Sequence, residues 1–156
     1  MARVYIASKY ERHELNRWLE KRLHSEGFDV FLPEHYEVRA IKRSEKIAVR
    51  DECIRQLYDC DVLFAVGPCG NDINFEVSAA FIASMLHHHM LIVRWNTTDD
   101  TSIADDIVHP TYDYESDSLD KVIEYLKSNK PHGYEPLGED LRKTSRSLPP
   151  SIMLVE

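Results

Sequence analysis

The stretch that decides the fold runs from Asp61 to Arg94 and reads DVLFAVGPCGNDINFEVSAAFIASMLHHHMLIVR. It begins with a short apolar run that Gly67 and Pro68 end, and it closes with a second apolar run at 90–93. Both runs are typical of buried strands, and the Ala-rich segment from Ile73 to about His88 predicts a helix between them. Two buried strands joined by a helix form a βαβ unit, which indicates a parallel sheet covered by helices on both faces.

The rest of the chain repeats this alternation of strand and helix. Further strands are predicted at 4–7, 29–32 and 110–114, and further helices at about 12–25, 44–58 and 119–126. Apolar spacing predicts which side chains of the four helices face the sheet. They are Leu15, Trp18, Leu19 and Leu23; Ile47, Ile54, Leu57 and Tyr58; Phe75, Ala79, Ile82 and Leu86; and Leu119, Val122, Ile123 and Leu126.

Five strands alternating with helices predict an α/β fold, a three-layer sandwich around a five-stranded parallel sheet of flavodoxin-like or Rossmann-like type. We expect one domain over residues 1–131. Residues 132–156 are rich in Pro and Gly and predict an irregular tail. Its apolar end, Ile152 to Val155, is expected to dock on the core or on a neighbouring subunit.

Composition excludes several classes of protein. A net charge of -8 argues against binding to a nucleic-acid polymer, since phosphate backbones require clustered Lys and Arg. No apolar run approaches the length that spans a membrane. The chain enters a strand directly after its first residues and its three cysteines form no CxxC pair, so we expect no signal peptide, reduced thiols and a cytoplasmic location.

Three loops follow the carboxyl ends of predicted strands, which is where open α/β sheets bind ligands. They contain Ser8 and Lys9, then Glu34 and His35, then the segment Gly67 to Asn71. From these loops we expect contacts to a small molecule. The candidate substrate-binding residues are Ser8, Lys9, His35, Gly67, Gly70 and Asn71.

One carboxylate, Glu76, is predicted in the first turn of the helix that follows the third loop. The positive end of the helix dipole favours the charged form of a carboxylate at that place. An ionised carboxylate beside a cavity suits attack on an electrophilic sugar carbon. The alternative is that Glu76 only stabilises the start of the helix, which needs no catalytic role.

Other constellations support weaker hypotheses. Consecutive helical residues point about 100° apart, so His87 to His89 are not expected to bind one metal ion, and we predict no metal site. Cys69 would need a base such as His35 to act as a nucleophile. Glu34 and His35 either contact a ligand or are solvated.

Five segments together resemble the nucleoside 2-deoxyribosyltransferase family in order and spacing, over residues 3 to about 94. That family also includes hydrolases of nucleoside and nucleoside 5′-monophosphate N-glycosidic bonds. The segments are Val4-Tyr5-Ile6-Ala7, Asp51-x-x-Ile54, Asp61-Val62-Leu63-Phe64-Ala65, Glu76-x-Ser78-x-Ala80 and Met90-Leu91-Ile92-Val93.

The resemblance implies a retaining mechanism in which Glu76 attacks the anomeric carbon of deoxyribose. Tyr5 matches the family's first-strand tyrosine, whose hydroxyl positions the nucleophile. Asp61 matches an aspartate that heads the third strand near the active site. Ser8 falls where the first loop of the family lines the sugar pocket. The resemblance therefore implies Glu76, Tyr5 and Asp61 as catalytic residues.

The sequence departs from the family pattern around the proposed nucleophile. Gly70 stands six residues before Glu76, where the family has Asp or Ser, and Ser78 stands where a Gly is expected. Asp72 is then the candidate for proton transfer to the leaving base, with an N-cap role as the alternative. A phosphate site formed by Lys9, Arg12 and the helix N-terminus stays open.

The resulting hypothesis is an enzyme that cleaves or exchanges the N-glycosidic bond of (deoxy)nucleosides through Glu76, without a cofactor. The alternatives are a nucleoside 5′-monophosphate N-glycosidase and a non-catalytic nucleotide-binding module on the same fold. The partner in each case is a small nucleoside or nucleotide. The resemblance also implies a homodimer or a larger homo-oligomer, because family members complete each pocket with a neighbouring subunit.

Overall fold

A five-stranded parallel sheet forms the centre of the computed structural model, which describes residues 1–35, 42–86, 90–97 and 112–129. The strand order is β2-β1-β3-β4-β5, and every neighbouring pair is parallel. This order is that of flavodoxin-like folds, so the predicted fold class is confirmed. The strands are β1 (Arg3–Ala7), β2 (Asp29–Phe31), β3 (Val62–Val66), β4 (Leu91–Trp95) and β5 (Tyr114–Ser116).

In the described part of the chain, four α-helices cover the two faces of the sheet: α1 (His13–Ser25), α2 (Arg43–Tyr58), α3 (Asn71–Leu86) and α4 (Leu119–Ser128). Successive side chains of a strand point to opposite faces. In β1, Val4 and Ile6 therefore pack with α1 and α4, whereas Tyr5 and Ala7 pack with α2 and α3. The sandwich thus has two apolar cores, one on each side of the sheet.

The predicted core faces of the helices are confirmed for α4 and only partly for the others. All four predicted residues of α4 are buried, as are Leu19 and Leu23 of α1 and Leu57 of α2. The predictions were wrong for Trp18 of α1 and for Ile47 and Tyr58 of α2, which are exposed.

The predicted face of α3 was wrong for two residues, whereas a third, Ala79, does pack against the core. Phe75 and Ile82 are 54% and 52% exposed, and the residues that face the sheet are Ile73, Val77, Ala80 and Ala83. The cause is that α3 is apolar on more than one side, so several stripes fit its periodicity equally well.

Two further differences concern element boundaries. Strand β5 is Tyr114–Ser116 rather than 110–114, and residues 110 and 111 lie outside the described ranges. Helix α3 begins at Asn71, two residues earlier than predicted.

The predicted tail, 132–156, also lies outside the described ranges, so its docking stays a prediction. No helix within those ranges is long and apolar enough to cross a membrane.

Candidate active site

A cavity of about 380 Å³ opens at the carboxyl edge of the sheet, beside the start of α3. Its walls come from residues 8–11 after β1, residues 32–34 after β2, and residues 70–73 with Glu76 of α3. Strand β1 lies between β2 and β3, so the cavity sits at the point where the order of the strands reverses. Ligands of open α/β folds bind at this point, and the volume is in the range of small-molecule sites.

Glu76 and Tyr5 meet at this cavity. The Tyr5 hydroxyl donates a hydrogen bond of 2.7 Å to Oε1 of Glu76. Tyr5 itself is fully buried, and its ring stacks on Phe31 of β2 with the ring centroids 5.2 Å apart. The phenol is therefore held on two sides, and it orients the half-buried Glu76 carboxylate from below. This pairing was expected from the resemblance, and it joins residues 71 positions apart in the chain.

The protonation state of Tyr5 follows from its surroundings. Burial, reinforced by the nearby charge of Glu76, raises the pKa of the Tyr5 hydroxyl far above its usual value. The hydroxyl consequently stays protonated and remains a donor to the carboxylate across the physiological range. This contact fixes the orientation of the Glu76 side chain.

The start of α3 places two carboxylates at the cavity. Asp72 is the second residue of the helix, and Glu76, four residues later, lies one turn further along. Asp72 is therefore inside the helix rather than at its N-cap; Gly70, whose carbonyl accepts from the Asn74 amide at 3.0 Å, occupies that position. Glu76 lies in the second turn instead of the first, so the helix dipole acts on it less strongly than expected.

Six predicted residues are brought together around the cavity: Ser8, Lys9, Gly70, Asn71, Asp72 and Glu76. The Lys9 side chain lies over Gly70, because a Cβ built there would meet Lys9 Cε at 3.8 Å. Lys9 thus supplies the cavity with a positive charge next to the acidic start of α3.

Three predicted residues are not brought to the cavity. Asp61 lies just before β3, at the amino edge of the sheet, where Oδ2 accepts from the Arg3 amide at 2.8 Å. His35 bonds through Nε2 to the Glu20 carboxylate of α1 at 2.9 Å. The Gly67 carbonyl accepts from Arg12 Nη1 at 2.9 Å. These residues have structural partners instead of a place in the cavity wall.

Solved structures of two other proteins share this fold. A 2-deoxyribosyltransferase from the psychrotolerant bacterium Bacillus psychrosaccharolyticus aligns with a TM-score of 0.64 over 80% of this chain and 92% of its own, at 18% identity. The chain has the fold of a 2-deoxyribosyltransferase. A conserved protein from Enterococcus faecalis V583 aligns with a TM-score of 0.59 over 82% of this chain and 98% of its own, at 16% identity. Neither a scan against models of protein families nor a search of curated proteins finds a match.

Two further residues line the cavity of this deoxyribosyltransferase fold. Sequence reasoning assigned no site role to Asn16 and left the role of Glu34 open. Asn16 of α1 is 2% exposed and lines the cavity, and Glu34 contributes a carboxylate whose side chain is 4% exposed. A signal existed for Asn16, because it lies three and seven residues before the buried Leu19 and Leu23. An amide within such an apolar stripe indicates a buried polar group.

The described residues offer no cluster of three His, Cys, Asp or Glu side chains that could hold a metal ion. The histidines 87–89 lie outside the described ranges, so the prediction about them is not tested. Cys69 was the alternative candidate for a nucleophile. Its Sγ lies 3.8 Å from the Tyr112 hydroxyl oxygen, whereas His35 pairs with Glu20. Cys69 and His35, which that hypothesis pairs as thiol and base, are therefore each next to a different residue.

Proposed function

We propose that this protein is an enzyme that cleaves or exchanges the N-glycosidic bond of deoxynucleosides, with Glu76 as the nucleophile. The observation that carries the proposal is the 2.7 Å hydrogen bond from Tyr5 to Glu76 at the mouth of a ligand-sized cavity. The fold shared with a 2-deoxyribosyltransferase supports the substrate class. A held carboxylate that faces a cavity is the arrangement that retaining glycosyl transfer requires.

The reaction proceeds in two displacements at the anomeric carbon. A carboxylate oxygen of Glu76 attacks C1′, and the C–N bond breaks as the base leaves with the bonding electron pair. The glycosyl-enzyme ester is then attacked by water or by a second base, and the Glu76 carboxylate is released. Tyr5 holds Oε1 throughout, so the orientation of the nucleophile costs little entropy at the moment of attack.

Asp72 is the proposed acid for the leaving base. It lines the same cavity as Glu76, from one helical turn nearer the loop. A protonated Asp72 gives its proton to the base nitrogen as the C–N bond breaks. In the second displacement its carboxylate takes a proton from the attacking water or base.

The test is an assay of the full chain with a panel of deoxynucleosides and deoxynucleoside 5′-monophosphates, with and without a free acceptor base. Exchange of the base identifies a transferase, and release of free base without exchange identifies a hydrolase. Wild-type protein caught during turnover should carry a deoxyribosyl group in its mass spectrum, and Glu76→Gln should not. Absence of turnover with every substrate, together with ligand binding that survives Glu76→Ala, would favour the non-catalytic nucleotide-binding module.

We also propose that the protein is a homodimer or a larger homo-oligomer. The support is the outer face of α3, where Phe75, Ile82 and Met85 are more than half exposed, and where residues 77 to 86 include no charge. Phe75 also borders a groove between α2 and α3, together with Ile54 and Tyr58. Phe75 precedes Glu76 directly, so a second copy on this face would lie beside the cavity.

Light scattering after size-exclusion chromatography tests this association. Ile82→Lys should shift the particle toward the mass of one chain, because a buried charge opposes an apolar contact. Glu124→Lys, on the exposed side of α4, is the matched control and should not change the mass. A wild-type monomer at micromolar concentration would contradict the proposal.

A further inference from the structure

The amide of Asn16 is held in one orientation at the cavity wall. Its Nδ2 donates to the Lys9 carbonyl and to Oε2 of Glu34, each at 3.1 Å. Both partners are acceptors, so the amide nitrogen must face them and Oδ1 must point the other way. Asn16 lines the cavity and is 2% exposed, which leaves Oδ1 as an acceptor turned away from bulk water.

Two buried oxygens at this wall are without a hydrogen-bond partner among the described residues: Oδ1 of Asn16 and Oγ of Ser8. A buried acceptor without a donor costs free energy, and native proteins rarely leave one unless a ligand or water supplies the donor. Ser8 follows β1 and Asn16 is in α1, so the two oxygens belong to neighbouring segments of one wall. Neither oxygen is accessible at the cavity surface as the structure stands, so a donor group of a ligand would reach either one through a small shift of the Ser8 or Asn16 side chain.

The charges around the cavity oppose an anion. Glu34, beside Asn16, is compensated by the Arg17 guanidinium, whose Nε lies 3.1 Å from Oε1, and His13 Nδ1 lies 3.4 Å from Oε2. Among the residues that the structure describes, the other charged members of the lining are the carboxylates Glu11, Asp72 and Glu76 and the ammonium group of Lys9. A phosphate dianion in this cavity would face more negative than positive charge.

We propose that Ser8 and Asn16 form a specificity subsite that accepts hydrogen bonds from a neutral donor group of the substrate and disfavours a 5′-phosphate. The proposal deepens the function given above and depends on it for the ligand class. Two parts of a deoxynucleoside carry such donors. The base offers the amino group of adenine, cytosine or guanine, or the ring N–H of guanine or thymine, and the sugar offers its hydroxyls. Both satisfy the same acceptors, and matched ligands separate them.

The experiment measures dissociation constants by calorimetry on full-length Glu76→Gln protein, in which the ligand stays intact. 2′-Deoxyadenosine is compared with purine 2′-deoxyriboside, which lacks the amino group. It is also compared with 2′,3′- and 2′,5′-dideoxyadenosine, each of which lacks one of its hydroxyls. Loss of the donor that the subsite reads should weaken binding about 10- to 100-fold, since a group built for hydrogen bonding is then left unpaired. 2′-Deoxyadenosine 5′-monophosphate should bind more weakly than 2′-deoxyadenosine.

Variants then assign the discrimination to these residues. Asn16→Ala, made in the same background, should bring the affinities of the donor-bearing and donor-lacking ligands to within about threefold of each other, by loss of the acceptor. Ser8→Ala tests the second oxygen and serves if Asn16→Ala fails to fold. Gln56→Ala is the matched control, because Gln56 is also a buried amide but bonds to Arg3 and Glu52, away from the cavity. It should leave the discrimination unchanged.

Equal affinity for all four nucleosides, tighter binding of the monophosphate, or no binding of any ligand would each overturn the subsite. Discrimination that persists in both Asn16→Ala and Ser8→Ala would do the same. Wild-type turnover is scored separately. Turnover without discrimination removes the subsite and keeps the proposed function, whereas discrimination without turnover keeps the subsite and removes the enzymatic proposal.

Discussion

Helices α3 and α4 both cover the sheet, yet their sequences relate to their positions in different ways. The buried residues of α4 are the four that its spacing predicts, Leu119, Val122, Ile123 and Leu126, and charged residues occupy its other side. In α3, the predicted stripe contains Phe75 and Ile82, which face outward. The sheet is instead contacted by smaller side chains, among them Val77 and Ala80.

The difference shows that α3 carries more apolar surface than its contact with the sheet uses. A helix that only packs on a sheet needs one apolar stripe, as in α4. Helix α3 has a second apolar face, and its first two turns also supply Asp72 and Glu76 to the cavity. We assign the second apolar face to the proposed association of subunits, and the two carboxylates to the proposed catalysis.

The largest expected effect separates the two helices by activity. Glu76→Gln in α3 should lower turnover by at least about 1,000-fold, because the amide cannot form the glycosyl ester. The melting temperature should change little, since the substitution keeps the size of a half-buried side chain. Glu124→Gln, an exposed carboxylate of α4, is the control for kcat and should leave it unchanged. Full activity of Glu76→Gln would remove the catalytic distinction.

The next effect separates the helices by stability. Ile123 of α4 is 3% exposed, so Ile123→Ala should lower the free energy of unfolding by about 2–5 kcal/mol through loss of burial and a residual cavity. Ile82→Ala in α3 should cost under about 1 kcal/mol in dilute protein, where its side chain meets water. Urea unfolding over a range of protein concentrations measures both. A cost for Ile82→Ala that rises with concentration would indicate that a second subunit covers this face.

A smaller effect concerns the Tyr5 hydroxyl, which holds the proposed nucleophile, Glu76. Tyr5→Phe keeps the ring stacked on Phe31 and removes only the donor to Glu76, so kcat should fall about 10- to 100-fold. Tyr125→Phe in α4 is the matched control, because Tyr125 stacks on Tyr114 and lies far along the chain from the cavity loops. Unchanged kcat in Tyr5→Phe would show that the orientation of Glu76 does not depend on this bond.

The smallest effect appears at high pH and separates the cores beneath the two helices. The core under α3 contains Tyr5 and Cys60, and burial raises the pKa of the Cys60 thiol to about 12 and that of the Tyr5 hydroxyl above its usual value. Both groups ionise more easily in the unfolded chain, at about pH 8.5 for Cys and 10 for Tyr. The stability that the neutral thiol and phenol give to the folded state is complete below those pH values. It is lost as the pH rises toward the pKa values of the folded state.

The free energy of unfolding should therefore fall above about pH 9, by up to about 1.4 kcal/mol per pH unit for each group. Cys60→Ala should flatten this slope when unfolding is followed between pH 8 and 11. Cys69→Ala, at a half-buried thiol, is the control. The fully buried residues of the core under α4 are aliphatic residues and phenylalanines, which do not ionise, although Tyr114 and Tyr125 pack against it and burial also raises the pKa of the Tyr125 hydroxyl. A slope unaltered by Cys60→Ala would contradict the assignment.

Sequence reasoning recovered the parts of the site that follow directly from the order of elements. The loops after β1 and β3 were expected at one edge, and Ser8, Lys9, Gly70 and Asp72 do line one cavity there. Asp61 was expected near Glu76 but lies at the opposite edge, bonded to the Arg3 amide. The resemblance suggested that residue, although its place before β3 already assigns it to the amino edge of a parallel sheet, and the pairing of β1 with β3 confirms that position.

Asn16 and Glu34 show the complementary limit. Each is a common polar residue near a predicted boundary, and neither lies close in sequence to Glu76. The apolar stripe of α1 signals that the Asn16 amide is buried, but its hydrogen bond to Glu34 exists only once α1 packs beside the loop after β2. Periodicity describes a single element, so it does not report contacts between elements.

The amino-acid sequence by itself determined the alternation of strand and helix, the parallel sheet and the inward face of α4, because these depend on local spacing of apolar side chains. Tertiary structure alone decided which face of α3 meets the sheet, which polar groups share the cavity, and that the Tyr5 hydroxyl reaches Glu76. Those outcomes depend on how separate elements pack and register against one another, and no spacing along the chain encodes that directly.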